Sequence, residues 1–151
     1  MNILVTGCFD VLHAGHIRLL KFAAQMGHVI VGVNSDRRVN ELKGPGRPIV
    51  DEQTRLEVAV SVAGYAAVGY IFDEDTASEL IRKLTPDVWV KGMDYLGQEV
   101  EEIAACKEVG CAICYFPHGG ESTTKLLEKG SEYLCTTDSG DWFARYGSIR
   151  R

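Results

Sequence analysis

The sequence predicts a doubly wound α/β protein built on a five-stranded parallel sheet. Three observations point there. Short apolar runs alternate with segments of helical period along most of the chain. The run at residues 29–33 is apolar at nearly every position, as a strand is when both faces of its sheet are covered. Most of the glycines outside helix ends, and three of the four histidines, fall in the segments that follow the apolar runs.

Taken in order, residues 3–6 form the first strand. Residues 17–26 have helical periodicity and stop at Gly27, a suitable C-terminal cap. Residues 29–33 are the second strand. Residues 35–50 are polar, contain Gly and Pro, and predict a loop. Asp51 is placed to cap a helix ending near Ala63. Residues 68–72 are the third strand. Thr76-Ala77-Ser78-Glu79 has the pattern of a capping box opening a helix to about Leu84. Residues 88–90 form the fourth strand, 99–109 a helix, 112–116 the fifth strand and 122–129 a last helix. Residues 1–130 make one domain. Residues 131–151 are a polar tail with Trp142, Phe143 and Tyr146 and no clear period.

The 151 residues fit one compact domain, with 46% hydrophobic and 25% charged residues, an ordinary globular balance. No apolar run approaches the ~20 residues that span a bilayer. The N-terminus lacks a basic segment before a long apolar stretch, so a cytoplasmic protein without a membrane partner is expected. A net charge of −5 argues against a nucleic-acid partner bound by bulk electrostatics. Five cysteines without a secretion signal predict free thiols. Cys111-Ala112-Ile113-Cys114 has CxxC spacing but reads as strand, where residues three apart point to opposite faces. Core cysteines are expected there.

In open parallel sheets a ligand lies beyond the carboxyl ends of the strands, where strand order reverses. The segments there carry Gly7 to His16, Asn34-Ser35-Asp36, Lys43 to Pro48, Lys91 to Tyr95 and His118 to Thr124. The chain is acidic overall, yet Arg37, Arg38, Lys43, Arg47 and Lys91 cluster in or beside these segments. Two helix starts, at His16-Ile17-Arg18 and Ser122-Thr123-Thr124-Lys125, have no acid in the first turn. Free N–H groups with hydroxyls or cations at a helix start suit phosphate groups.

His13 and His16 are three apart at a helix start and can face the same way, and Gly15 lets a ligand approach the backbone. Three readings are open on the residues alone: exposed polar loop residues, metal ligands with Asp10, Cys8 or His118, or paired donors to a phosphoryl group whose charge grows during transfer.

The string Thr6-Gly7-Cys8-Phe9-Asp10-Val11-Leu12-His13-Ala14-Gly15-His16 resembles the signature of the cytidylyltransferase-like nucleotidyltransferases: a strand-end G-x-F-D joined to HxGH. Asn34-Ser35-Asp36, Lys43-Gly44 with Arg47-Pro48, Arg55, Pro86-Asp87, Val90-Lys91-Gly92, Asp94-Tyr95 and Gly120-x-Ser-Thr-Thr follow in the same order, over about residues 1–130. Within that family the chain is most similar to the adenylyltransferase domain of ADP-heptose synthesis. Glycerol-3-phosphate cytidylyltransferases are the second likeness. Their Arg-Thr pair before Ser-Thr-Thr has no counterpart at residues 117–119. The heptose domain is often fused to a sugar kinase, for which these residues offer no counterpart.

The resemblance implies the Rossmann-like HIGH-type nucleotidyltransferase fold and an enzyme that moves AMP from ATP to a sugar 1-phosphate. CTP and glycerol 3-phosphate are the alternative pair, and a nucleotide-binding module without turnover is an alternative of another class. It implies His13, His16 and Lys43 as catalytic residues. Gly7, Cys8, Phe9, Gly15, Lys91, Gly92, Asp94, Gly120, Ser122, Thr123 and Thr124 join the two histidines in holding the nucleotide. Asp10, Asp36, Arg55 and Lys43 are expected on the acceptor side. Mg2+ is expected to travel with the triphosphate rather than in a protein cage. A homodimer is expected, with the tail as one candidate contact.

Overall fold

The computed structural model describes residues 1–97 and 100–117, the side chain of Asp94 excepted. The elements are β1 (Asn2–Gly7), α1 (Ala14–Met26), β2 (His28–Asn34), α2 (Asp36–Lys43), α3 (Glu52–Ala63), β3 (Val68–Phe72), α4 (Ser78–Leu84), β4 (Val88–Gly92), a 3-10 turn (Met93–Tyr95), α5 (Glu101–Val109) and β5 (Ala112–Phe116). The five strands are all parallel, in the order β3-β2-β1-β4-β5. The predicted class is therefore the observed one.

Strand alternation divides the core in two. Ile3 and Val5 of β1 face one side with Val29, Val31 and Val33, packed against Leu20 and Ala23 of α1 and Ala59 and Ala63 of α3. Leu4 and Ile30 face the other side with Trp89, against Leu80 and Ile81 of α4 and Ala105 and Cys106 of α5. Successive strand residues point to opposite faces, so near-continuous apolar strands require helices on both. Gly32 sits where this packing leaves no room for a side chain: a Cβ there would stand 2.8 Å from Leu80 Cδ2.

Two expectations are corrected. Residues 36–43 are helical, not loop. Ser35 caps this helix by accepting from the Arg38 N–H, and Arg37 and Arg38 both pair with Glu41 one turn on. Only Val39 of this helix is buried, so no apolar stripe announced it. The capping box at residues 76–79 does not form. Helix α4 has Ala77 at its N-cap with no side-chain bond, and the Thr76 hydroxyl instead meets Ser78 and Glu101. Asp51 does cap α3, accepting from the Thr54 N–H at 3.0 Å. Helix α1 starts at Ala14, three residues ahead of its apolar period, and α5 starts at Glu101. Among the described residues no helix is long and apolar enough to cross a membrane. The predicted helix at 122–129 and the tail 131–151 lie outside the described residues.

Cys8, Cys106, Cys111 and Cys114 are free thiols. Cys111 belongs to the α4–α5 core and Cys114 packs against the α1–α3 core, so the CxxC pair does straddle the sheet. Burial, then the neighbouring Cys111, pushes the Cys106 thiol up to about 12, and burial raises Cys111 as well. Both stay protonated at pH 8, and the thiolate is the nucleophile. Cys106 and Cys111 are therefore expected to resist iodoacetamide at pH 8 in the folded protein and to react fully in urea. Rapid native labelling of Cys106, read by peptide mapping, would contradict this.

Candidate active site

Strand order reverses between β1 and β4: the chain winds outward through β2 and β3, then returns to pair β4 on the other side of β1. In open parallel sheets the ligand lies at such a point, at the carboxyl ends of the strands. The segment leaving β1 is strained there. Phe9 and Val11 have φ of 50° and 54°, which is costly for residues with a Cβ and most of all for β-branched valine. Burial of the residues between holds the turn. Phe9 lies in the α1–α3 core, and Asp10 is 1% exposed.

Asp10 reaches away from its own turn. Its carboxylate accepts from Arg47 Nε at 2.6 Å, the Ile49 N–H at 2.9 Å and the Val50 N–H at 3.1 Å. It thereby ties the β1 exit to the segment following α2, in which the Arg47–Pro48 peptide is cis.

The strained turn delivers His13 to the N-cap of α1. Its backbone is extended, and its Nδ1 accepts the Gly15 N–H at 3.2 Å. An Nδ1 used as acceptor leaves the proton of neutral imidazole on Nε2, so that nitrogen is a donor. His16 lies one turn on. The two rings stack with centroids 3.9 Å apart and planes 29° from parallel. Phe9 stands against His16 at 5.3 Å. Gly15 is buried beneath the pair. Two imidazoles and the partial positive charge of the helix start thus lie side by side.

Cationic residues also lie on the segments at this edge. Burial raises the Cys8 thiol, and Lys43, Arg55 and Lys91 in that order draw it back down; Arg55 also donates to the Cys8 carbonyl. Lys43 is the exposed last residue of α2. Lys91 is nearly buried at the end of β4, its Nζ 4.1 Å from the centre of the Tyr95 ring. Gly92 ends the strand, and Asp94 lies in the 3-10 turn after it.

Arg55 is placed otherwise than an acceptor ligand would be. Its side chain is 0% exposed. Its guanidinium donates to the carbonyls of Val50, Cys8 and Asn34 and to Asp36 Oδ1 at 2.6 Å. It braces three loops from beneath. Asp36, half-exposed, is held by that bond, and its N–H donates to Glu52 Oε2. Helix α2 is further latched by Ser35 and Arg37 to Asp73 and by Arg38 to the Asp75 carbonyl.

The structure thus gathers Gly7, Cys8, Phe9, Asp10, His13, Gly15, His16, Asp36, Lys43, Arg55, Lys91 and Gly92 at one edge. Gly120, Ser122, Thr123 and Thr124 lie outside the described residues. Arg47 and Asn34, which stand in the motifs above without an assigned task, and Glu52 also belong to this edge. Asn34 accepts from the Cys8 thiol at 3.7 Å. The one available signal was Arg47 in the cationic cluster; its partner Asp10 is 37 residues away.

A helix N-terminus with paired imidazoles, set at the reversal point of a doubly wound sheet with lysines nearby, defines an α/β protein whose carboxyl edge is suited to phosphate groups. The chain belongs to the cytidylyltransferase-like family, whose model matches residues 4–134. It is 48% identical over 130 residues to the bifunctional protein HldE of Koribacter versatilis, covering 85% of this chain and 26% of that protein. It is 44% identical over 131 residues to the HldE of Vibrio cholerae, covering 85% and 25%. The chain spans about a quarter of the length of these curated relatives. The fold is shared with a lipopolysaccharide core biosynthesis protein from Thermoplasma volcanium, at TM-score 0.60 and 24% identity over 81% of this chain and 98% of that one. It is shared also with a universal stress protein crystallised with cAMP, at TM-score 0.52 and 12% identity over 78% and 96%.

Proposed function

We propose that the chain transfers AMP from ATP to a sugar 1-phosphate, with heptose 1-phosphate as the acceptor, and releases pyrophosphate. The observation that carries this reading is the stacked His13–His16 pair at the N-terminus of α1, at the reversal point of the sheet. The likeness to the HldE proteins supports the choice of sugar phosphate and adenylyl group.

An oxygen of the acceptor phosphate attacks the α-phosphorus in line, the bond to the bridging oxygen breaks, and pyrophosphate leaves. A phosphate nucleophile needs no strong base, so positioning and charge stabilisation carry the rate. His13 Nε2–H and His16 donate to the α-phosphate and the leaving oxygen. Lys43 neutralises charge shared by donor and acceptor phosphates. Lys91 lines the nucleotide side. The Asp10 carboxylate is engaged by Arg47 and that of Asp36 by Arg55, so the groups offered to the triphosphate are imidazoles and ammoniums. This donor set suits phosphate oxygens, and Mg2+ arriving with the triphosphate would offset part of its charge.

The test is pyrophosphate release from a panel of triphosphates and sugar phosphates by the parent and by His16→Ala. ATP with heptose 1-phosphate is expected to be the best pair, and His16→Ala to lose roughly 10²–10³-fold in kcat/KM. Turnover with CTP and glycerol 3-phosphate alone would replace the adenylyl reading. A silent panel with ATP still bound would end the transfer reading.

A further inference from the structure

We propose that Asp10 is a positioning residue that couples the two halves of the centre, holding Lys43 in register with the His13–His16 pair through Arg47 and Asn40. The path is a chain of bonds. Asp10 lies three residues before His13 on the strained exit from β1, so its place is set by the same backbone that sets the imidazoles. Its buried carboxylate holds Arg47 Nε at 2.6 Å and the Ile49 and Val50 N–H groups. The Arg47 carbonyl in turn accepts from Asn40 Nδ2 at 2.9 Å, and the Arg47 N–H donates to the Gly44 carbonyl at 3.3 Å. Asn40 also closes the last turn of α2, its carbonyl accepting the Gly44 N–H at 2.8 Å. Lys43 is the residue inside that closed turn.

The need for such a link follows from how α2 is held. Val39 is its only buried residue, so apolar packing does not fix the far end of the helix. The latches to Asp73 and Asp75 act at Ser35, Arg37 and Arg38, in the first turn. Among the described residues, Glu41 ties the end bearing Lys43 back to the first turn through Arg37 and Arg38, and Asn40, Gly44 and Arg47 tie it to the β1 exit by bonds that end on Asp10. A cation displaced by about 1 Å loses much of its effect on a developing charge.

The catalytic half of this assignment rests on nucleotidyl transfer to a sugar phosphate being the reaction. A double-mutant cycle tests it. Lys43→Ala is expected to cost roughly 100-fold in kcat/KM in the parent and less than about 10-fold in an Asp10→Asn background, because the ammonium is already out of register there. Residues lost for merely structural reasons would give independent, multiplying effects. A second readout needs no turnover. Lys43 draws the Cys8 thiol down. The pH midpoint of Cys8 alkylation by iodoacetamide, followed by peptide mapping, should therefore rise on Lys43→Ala in the parent. In Asp10→Asn it should barely move. Arg47→Met breaks the same link from the other side and serves if Asp10→Asn does not fold. Equal effects of Lys43→Ala in both backgrounds, in kinetics or in alkylation, would overturn the assignment. A parent that releases no pyrophosphate would end the transfer reading alone, leaving the alkylation cycle to decide the link.

Discussion

Arg55→Leu is expected to lower stability by about 3–5 kcal/mol, the range seen when one partner of a buried charged network is removed. The substitution keeps apolar bulk but removes the donors that satisfy the Cys8 and Asn34 carbonyls and Asp36. A buried acceptor left without a donor costs about 1–3 kcal/mol. Asp36 regains part of its hydration because it is half-exposed, so the carbonyls carry most of the loss. Against a total stability of about 5–15 kcal/mol the change is large. In a chain of this size it corresponds to a fall in Tm on the order of 10 °C. Arg55→Lys retains the charge but not the planar fork that reaches several acceptors together, and should fall between Leu and parent. Thermal melts of the three proteins check this. A Tm within 2 °C of the parent for Arg55→Leu, with acceptor KM alone raised, would instead make Arg55 an acceptor ligand.

His13→Ala is expected to act on both stability and rate. Loss of the N-cap bond to Gly15 costs about 1 kcal/mol of stability. Loss of the donor costs roughly 10²–10³-fold in kcat. His13→Asn separates the two: asparagine caps well, so stability returns while the imidazole donor does not. His16 makes no cap, so His16→Ala should lose rate with little change in melting. Because the rings stack at 3.9 Å, the double variant should cost less than the product of the singles. Pyrophosphate kinetics beside thermal melts decide this. Recovery of full rate by His13→Asn would show that the residue serves only as a cap.

The parallel sheet was legible because its strands are apolar on both faces, and the histidine pair because it sits within one short string. Helix α2 was not legible. It is held by Ser35, by pairs of Arg37 and Arg38 with Glu41, and by Asp73 and Asp75, with Val39 alone buried, so it leaves no apolar period. The local pattern at Thr76 to Glu79 misled because the Glu101 and Glu102 carboxylates arrive from α5 and compete for the cap.

Local pattern was enough for the class of fold, for the chain order of the described strands and helices other than α2, and for the described segments that meet at the carboxyl edge. Those depend on periodicity and on neighbours within a turn or two. The partners of Asp10 and Arg55 came from long-range packing. Both looked like groups waiting for a phosphorylated acceptor. Asp10 is committed to Arg47, 37 residues on, and Arg55 to Cys8, 47 residues back. Burying a charge in a folded core demands a partner, and which distant group supplies it is a property of the packed chain rather than of any local stretch.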